Sequence, residues 1–123
     1  MGLKLFEDCG RFAILTHDHP FRHWDLLLES GEVAATWRLR EEPGPGKTVP
    51  AERIADHRQL YLDYEGPVSG DRGTVTRWDA GTYHLQEQGI HVWRVILRGQ
   101  RLCGEAVIRS ATATFAADRT EPL

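Results

Sequence analysis

The sequence predicts a mainly β fold, an antiparallel barrel or sandwich. Three observations point there. Apolar residues come in short runs, several of them alternating with polar ones, and not at helical spacing. Turn residues punctuate these runs at regular intervals. The chain has 123 residues, 41% hydrophobic and 27% charged, which suits one ordinary soluble domain able to bury roughly two-thirds of its unfolded surface.

In chain order, Arg11 to His17 reads as a strand, closed by His17-Asp18-His19-Pro20. Phe21 to Glu29 follows, and Ser30-Gly31 turns it into Glu32 to Leu39, a hairpin. Arg40 to Lys47, broken by two Pro-Gly steps, is a surface loop. Pro50 to His57 is the single helical candidate, with Pro at a helix start. Leu60, Leu62 and Tyr64 alternate as a strand. Thr74 to Trp78 and Thr82 to Leu85 flank Asp79-Ala80-Gly81, a predicted tight turn. His91 to Leu97 directs Trp93, Val95 and Leu97 to one face, and Arg98-Gly99-Gln100 leads into Arg101 to Ile108. Trp37 and Trp78 are expected in the core, not on a base-stacking platform.

The net charge of −3 argues against a domain that coats nucleic acid, whose affinity comes from neutralised phosphates. No apolar run spans a membrane. Glu7 and Asp8 fall where a signal peptide needs its apolar stretch, so a cytoplasmic location is the expectation. Cys9 and Cys103 form no metal or disulfide pattern and are expected to be reduced, largely packed thiols.

Chemistry concentrates in His17-Asp18-His19-Pro20-Phe21-Arg22-His23-Trp24-Asp25. His23 and Asp25 are two apart on a predicted strand and share a face. A turn at Pro20 can fold His17 back beside them. Two imidazoles and one carboxylate leave coordination positions open, as a catalytic metal needs. Solvated turn histidines beside an unrelated Asp are the alternative. His57, at the end of the helical candidate, is either a ligand, a phosphate contact or a helix-end surface residue. His84 and His91 read as structural. A non-haem iron triad of His23, Asp25 and a distant His84 or His91 is a further reading, but it leaves His17 and His57 unexplained.

These residues resemble the 3'-phosphoesterase domain of bacterial DNA ligase D. The opening Phe12-Ala13-Ile14-Leu15-Thr16-His17-Asp18, the triplet His23-Trp24-Asp25 and the Gly turn before Thr36-Trp37 are similar to the family's first block. Asp56-His57 with Tyr61 and Asp63-Tyr64-Glu65-Gly66 resembles its second. Gly73-Thr74-Val75 with Trp78-Asp79-Ala80-Gly81-Thr82-Tyr83, and the closing Leu97-Arg98-Gly99 and Leu102-Cys103-Gly104-Glu105, resemble the rest. The resemblance runs from about Arg11 to Ile108. It implies a small antiparallel β-barrel with one short helix that heals 3' ends of DNA or RNA-terminated primers by removing 3'-phosphates and terminal ribonucleotides. It implies a divalent metal, manganese in most members, with zinc as the second choice, on His17, His23 and Asp25. His57 would contact the scissile phosphate and Tyr61 would assist. The partners implied are nucleic-acid 3' ends and a ligase or polymerase encoded separately.

The departures concern arginine. The family's Arg two residues after the triplet's Asp falls on Leu27, and another, eight residues before the phosphate-contacting His, falls on Val49. Glu41 takes the place of the Lys after the Ser-Trp block, with Arg38 and Arg40 nearby. Arg22, Arg53, Arg58 and Arg72 are candidates to replace the missing cations from another direction. Losing one donor to a reacting phosphoryl group commonly costs ~100-fold in rate. Two functions follow: a divergent metal-dependent 3'-phosphoesterase, or a degenerate module of the same fold that binds nucleic-acid ends or a partner without turnover.

Overall fold

The structure, a computed structural model, describes residues 9–117. Among the described residues nine strands are present: β1 (Cys9–His17), β2 (His23–Ser30), β3 (Val33–Leu39), β4 (Thr48–Arg58), β5 (Gly66–Pro67), β6 (Thr74–Gln88), β7 (Val92–Gly99), β8 (Cys103–Arg109) and β9 (Thr112–Phe115). All pairings are antiparallel. The neighbour order is β1-β2-β3-β4-β9-β8-β7-β6, and β6 pairs back onto β1, so eight strands close into a ring while β5 adds to β6. Closure removes the exposed edges that an open sheet would present. No helix among the described residues is long and apolar enough to cross a membrane.

Alternation along the strands builds the main core inside the ring. Phe12 and Ile14, Trp24, Leu26 and Leu28, Trp37 and Leu39, Val95 and Leu97, Ile108 and Phe115 meet there. A second cluster, Ala13, Leu15, Leu27, Ala34, Leu62 and Val75, lies on the other face of β1, β2, β3 and β6. These strands are therefore buried on both faces, which explains why Phe12–Leu15 and Leu26–Leu28 are unbroken apolar runs. The cover is the segment that follows β4. It is pinned at its start by Gln59 Nε2, which donates to Glu29 Oε2 at 2.9 Å and to the Gly31 carbonyl at 3.1 Å. Arg11 Nη1 reaches both Asp63 oxygens at 3.0–3.1 Å and pins its end.

Three expectations about secondary structure are corrected. Pro50–His57 is not a helix but most of strand β4, and the one short helical element among the described residues is instead a 3-10 turn at Gln59–Leu62. Two turns of isolated helix have little stability of their own, and burial of Val49 and Ala51 between β3 and β9 outweighs local propensity. The alternation of Leu60, Leu62 and Tyr64 is not a strand: Leu62 is buried and Leu60 is exposed on that turn.

The third correction is Asp79-Ala80-Gly81, which is the middle of the continuous strand β6 and not a turn. Register shifts there, with Ile14 opposite Asp79 and Leu15 opposite Arg77, so Trp78 is the bulged residue. Trp78 is accordingly only partly buried and donates its Nε1 to Glu42 at 2.9 Å, whereas Trp37 is a core residue as expected. Gly81 is required for another reason: a Cβ there would overlap the Arg98 carbonyl of β7. Cys9 is exposed and only Cys103 is partly packed.

Asp79 is 3% exposed, and its carboxylate accepts the backbone N–H groups of Gln100, Arg101 and Leu102 at 2.7–3.2 Å. It thereby closes the β7–β8 turn against β6. Truncation leaves those donors without a partner, so Asp79→Ala is expected to cost about 3 kcal/mol of stability. Equilibrium urea unfolding measures this; an unchanged midpoint would show that the turn holds without the carboxylate.

Candidate metal centre

The β1–β2 hairpin builds the centre by register. His17 lies opposite His23 and Leu15 lies opposite Asp25. His17, His23 and Asp25 belong to the outward alternation of the two strands, the face of Leu15 and Leu27. Each of the three offers a ligand atom within 4.8 Å of the others. Nδ1 of His17 is 3.9 Å and Nε2 of His23 is 3.5 Å from Asp25 Oδ2. The two imidazole rings meet edge to face with centroids 4.9 Å apart.

Backbone carbonyls hold both rings. His17 Nε2 is 2.8 Å from the Arg72 carbonyl and His23 Nδ1 is 2.9 Å from the Phe21 carbonyl. A carbonyl only accepts, so each of these nitrogens carries the proton. The lone pairs of His17 Nδ1 and His23 Nε2 are left facing Asp25, the arrangement that orients histidine on a metal. The Arg72 carbonyl is itself positioned. Asp18 Oδ1 accepts the Thr74 N–H at 2.8 Å, and Gly73 between them has φ +80° with no room for a Cβ beside Asp18.

His57 joins from β4. Its Nε2 is 3.7 Å from Asp25 Oδ2, and its Nδ1 is 3.4 Å from the Ala55 carbonyl. A β-bulge makes this possible: Thr36 faces Ile54, but Ala34 faces His57, so three residues of β4 span two of β3. The extra residue moves His57 onto the same face as Ile54; unbroken alternation would have put Asp56 there. The Tyr61 ring packs edge to face against His57 at 5.7 Å. His57 thus reaches the centre from the end of a strand, not of a helix.

The donor set fits a divalent cation. His23 is fully buried, and its Nε2 and Asp25 Oδ1 are buried atoms with no hydrogen-bond partner. Lone pairs facing a carboxylate repel it unless positive charge stands between them. Two imidazoles and a carboxylate with open positions suit manganese or zinc. His84 and His91 are both exposed and do not contribute. His84 faces Cys9 at the far end of β1, eight residues from His17 and so about 27 Å away at strand spacing; the iron-triad reading falls with it.

The arginines sort themselves by partner. Arg53 pairs with Asp56 and lies over Trp37 and Trp93. Arg72 bonds Ser69 of its own loop, Arg22 lies over Trp24, and Arg40 pairs with Glu52. Arg58 is exposed at the end of β4. Leu27 is fully buried in the apolar cluster with Leu62. Val49 is inside the ring opposite Ala113, so its apolar character is no gap in the centre. Arg38 is the residue that sequence reasoning placed only nearby. It lies directly opposite Asp25 on β3. The hairpin's two-residue turn, with Ser30 opposite Val33, fixes that pairing by counting; a turn assigned one residue differently hides it.

Burial pushes the Asp25 carboxyl up, but the pull of His23 and His57 when their rings are protonated, by hydrogen bonding and by charge, outweighs it and lowers the pKa from 3.8 to about 2. A lowered pKa makes the ionised group a source of stability above its unfolded value, lost as pH falls through the folded one. In chelator, wild-type protein is expected to lose roughly 2 kcal/mol between pH 4 and pH 2 that Asp25→Asn does not lose. Acid titrations of stability check this; coincident curves for the two proteins would remove Asp25 as the cause.

Comparison with known families bears on the chain as a whole. The chain matches the family described as the DNA Ligase D 3'-phosphoesterase domain over residues 15–109, a span containing His17, His23, Asp25, His57 and Tyr61. No curated protein matches the chain at a significant level. With most of its length matched, the chain belongs to the DNA Ligase D 3'-phosphoesterase domain family.

Proposed function

We propose that the protein is a divergent metal-dependent 3'-phosphoesterase acting on nucleic-acid 3' ends. The observation that carries this reading is the buried, unpartnered pair of His23 Nε2 and Asp25 Oδ1 beside His17, inside a chain of the 3'-phosphoesterase family. His17 Nδ1, His23 Nε2 and Asp25 would hold the cation, manganese before zinc. What a bound divalent cation supplies there is polarisation of a phosphoryl oxygen and a more acidic water. His57 Nε2 faces the same point and, when protonated, donates to the phosphate; the Ala55 carbonyl holds its other nitrogen. Tyr61, packed on His57, is the assisting donor. The nucleic-acid end is the partner, and the ligation or polymerisation that follows would fall to a separate enzyme.

A specific observation favours the second reading, a binding module without turnover. Leu27, in the place of a family arginine, is sealed beneath Leu62 and cannot be replaced from that position without opening the cover.

A 3'-phosphate oligonucleotide with manganese separates the two. Release of inorganic phosphate is expected, and His57→Ala should lower its rate about 100-fold as loss of one transition-state donor. Manganese affinity, read by calorimetry, should change little in His57→Ala and collapse in His23→Ala. Wild-type protein that binds manganese yet cleaves neither a 3'-phosphate nor a 3'-ribonucleotide end would be the binding module.

A further inference from the structure

The geometry points to Arg38 as the guanidinium that grips the phosphate at this centre, and we infer that it replaces, from strand β3, the cation that Leu27 does not provide on β2. The inference rests on the phosphoesterase reading for the identity of the ligand. Arg38 and Asp25 are register partners on adjacent antiparallel strands. Directly opposed side chains on one face have Cβ atoms about 4.5–5.5 Å apart. Arg38 therefore shares the outward face of His23, Asp25 and Leu27.

A cation in that position would ordinarily pair with its neighbour. The register partners on its two flanks are Asp25 and Glu52. Glu52 is taken by Arg40 at 3.1 Å, and Asp25 Oδ2 is turned toward His17, His23 and His57. Among the described residues no ion pair involves Arg38, and its Nε is a buried atom with no hydrogen-bond partner there. A buried donor left unpaired is costly, and its persistence beside a cluster of metal-type ligands is the mark of a group whose partner is a ligand. Arg22, Arg40, Arg53 and Arg72, by contrast, each rest on a ring, a carboxylate or a serine of the chain itself.

A guanidinium presents a planar fork of donors that matches two oxygens of a phosphate, and it remains charged at every working pH. Arg38 approaches from one end of β3, while His57 comes over from Ala34, four residues or about 13 Å along the same strand. A terminal phosphate between them would be held from two sides, with the metal ligands beneath. The fork also selects against a lysine: an ammonium supplies a point charge without the second parallel bond. The class of ligand is a phosphomonoester dianion, the form a 3'-phosphate end takes near neutrality.

The test uses Arg38→Met and Arg38→Lys beside wild type, with inorganic phosphate as the probe on the manganese-loaded protein. Phosphate binding is read by its effect on manganese paramagnetic resonance, and cleavage is read on a 3'-phosphate oligonucleotide. Arg38→Met should bind manganese as wild type does, bind phosphate at least about tenfold more weakly, and lose about 100-fold in kcat/KM. Arg38→Lys should recover only part of either. Phosphate binding by Arg38→Met equal to that of wild type overturns the inference, as does a wild-type protein that binds no phosphate. Phosphate held through Arg38 without any cleavage upholds the clamp and overturns the phosphoesterase reading. Cleavage indifferent to Arg38→Met does the reverse.

Discussion

A carboxylate placed at 2% exposure between Leu15 and Leu27 would cost several kcal/mol if nothing answered its charge. Asp25 is that carboxylate, and the arrangement around it is the answer. Three imidazole nitrogens from three strands converge on one of its oxygens at 3.5–3.9 Å. Its other oxygen has no partner. In a ring whose strands are lined mostly with apolar side chains, this is a concentrated demand for positive charge. Whatever supplies that charge, proton or metal, is bound by the same residues that the fold must reconcile.

The rest of the molecule holds this demand in place by means that are individually ordinary. The β1–β2 register sets His17 against His23. A bulge in β4 turns His57 to the correct face. The chain then drops into a single 3-10 turn, anchored at Gln59 and Asp63 by contacts to Glu29, Gly31 and Arg11, so that Leu62 closes the apolar cover and Tyr61 stands on His57. Most of these tethers are partly exposed and each is worth little alone. Their shared effect is geometric: they place both ends of a short segment, leaving the side chains between them few alternatives.

Family membership and site composition are distinct matters here. The 3'-phosphoesterase family match covers His17, His23, Asp25 and His57, yet two positions where the sequence resemblance leads one to expect arginine are the buried, apolar Leu27 and Val49. The structure divides those two cases. Val49 lines the ring interior and faces Ala113, so no charge belongs there. Leu27 faces the centre and is covered by the segment after β4. A cation is missing on one strand, and an unspent one stands on the next, opposite Asp25.

Much of this was legible in the sequence. Period-two alternation and turn residues suffice for a mainly β chain, because side-chain direction in a strand is local. The spacing His23-Trp24-Asp25 puts imidazole and carboxylate on one face for the same reason, and Pro20 near the turn brings His17 back. What sequence alone mistook were segments whose conformation is decided by partners far along the chain. Pro50–His57 has residues acceptable to a helix, but the ring needs a strand between β3 and β9, and buried Val49 and Ala51 decide it. Asp79-Ala80-Gly81 has the composition of a turn, but its carboxylate is consumed by the backbone of the β7–β8 turn some twenty residues on. His57 and Arg38 were visible as residues; their position at the centre depends on a bulge and on a count across a hairpin. Residue type and local period belong to the sequence, whereas register, bulges and the pairing of buried charge are settled only when distant strands must share hydrogen bonds and one closed core.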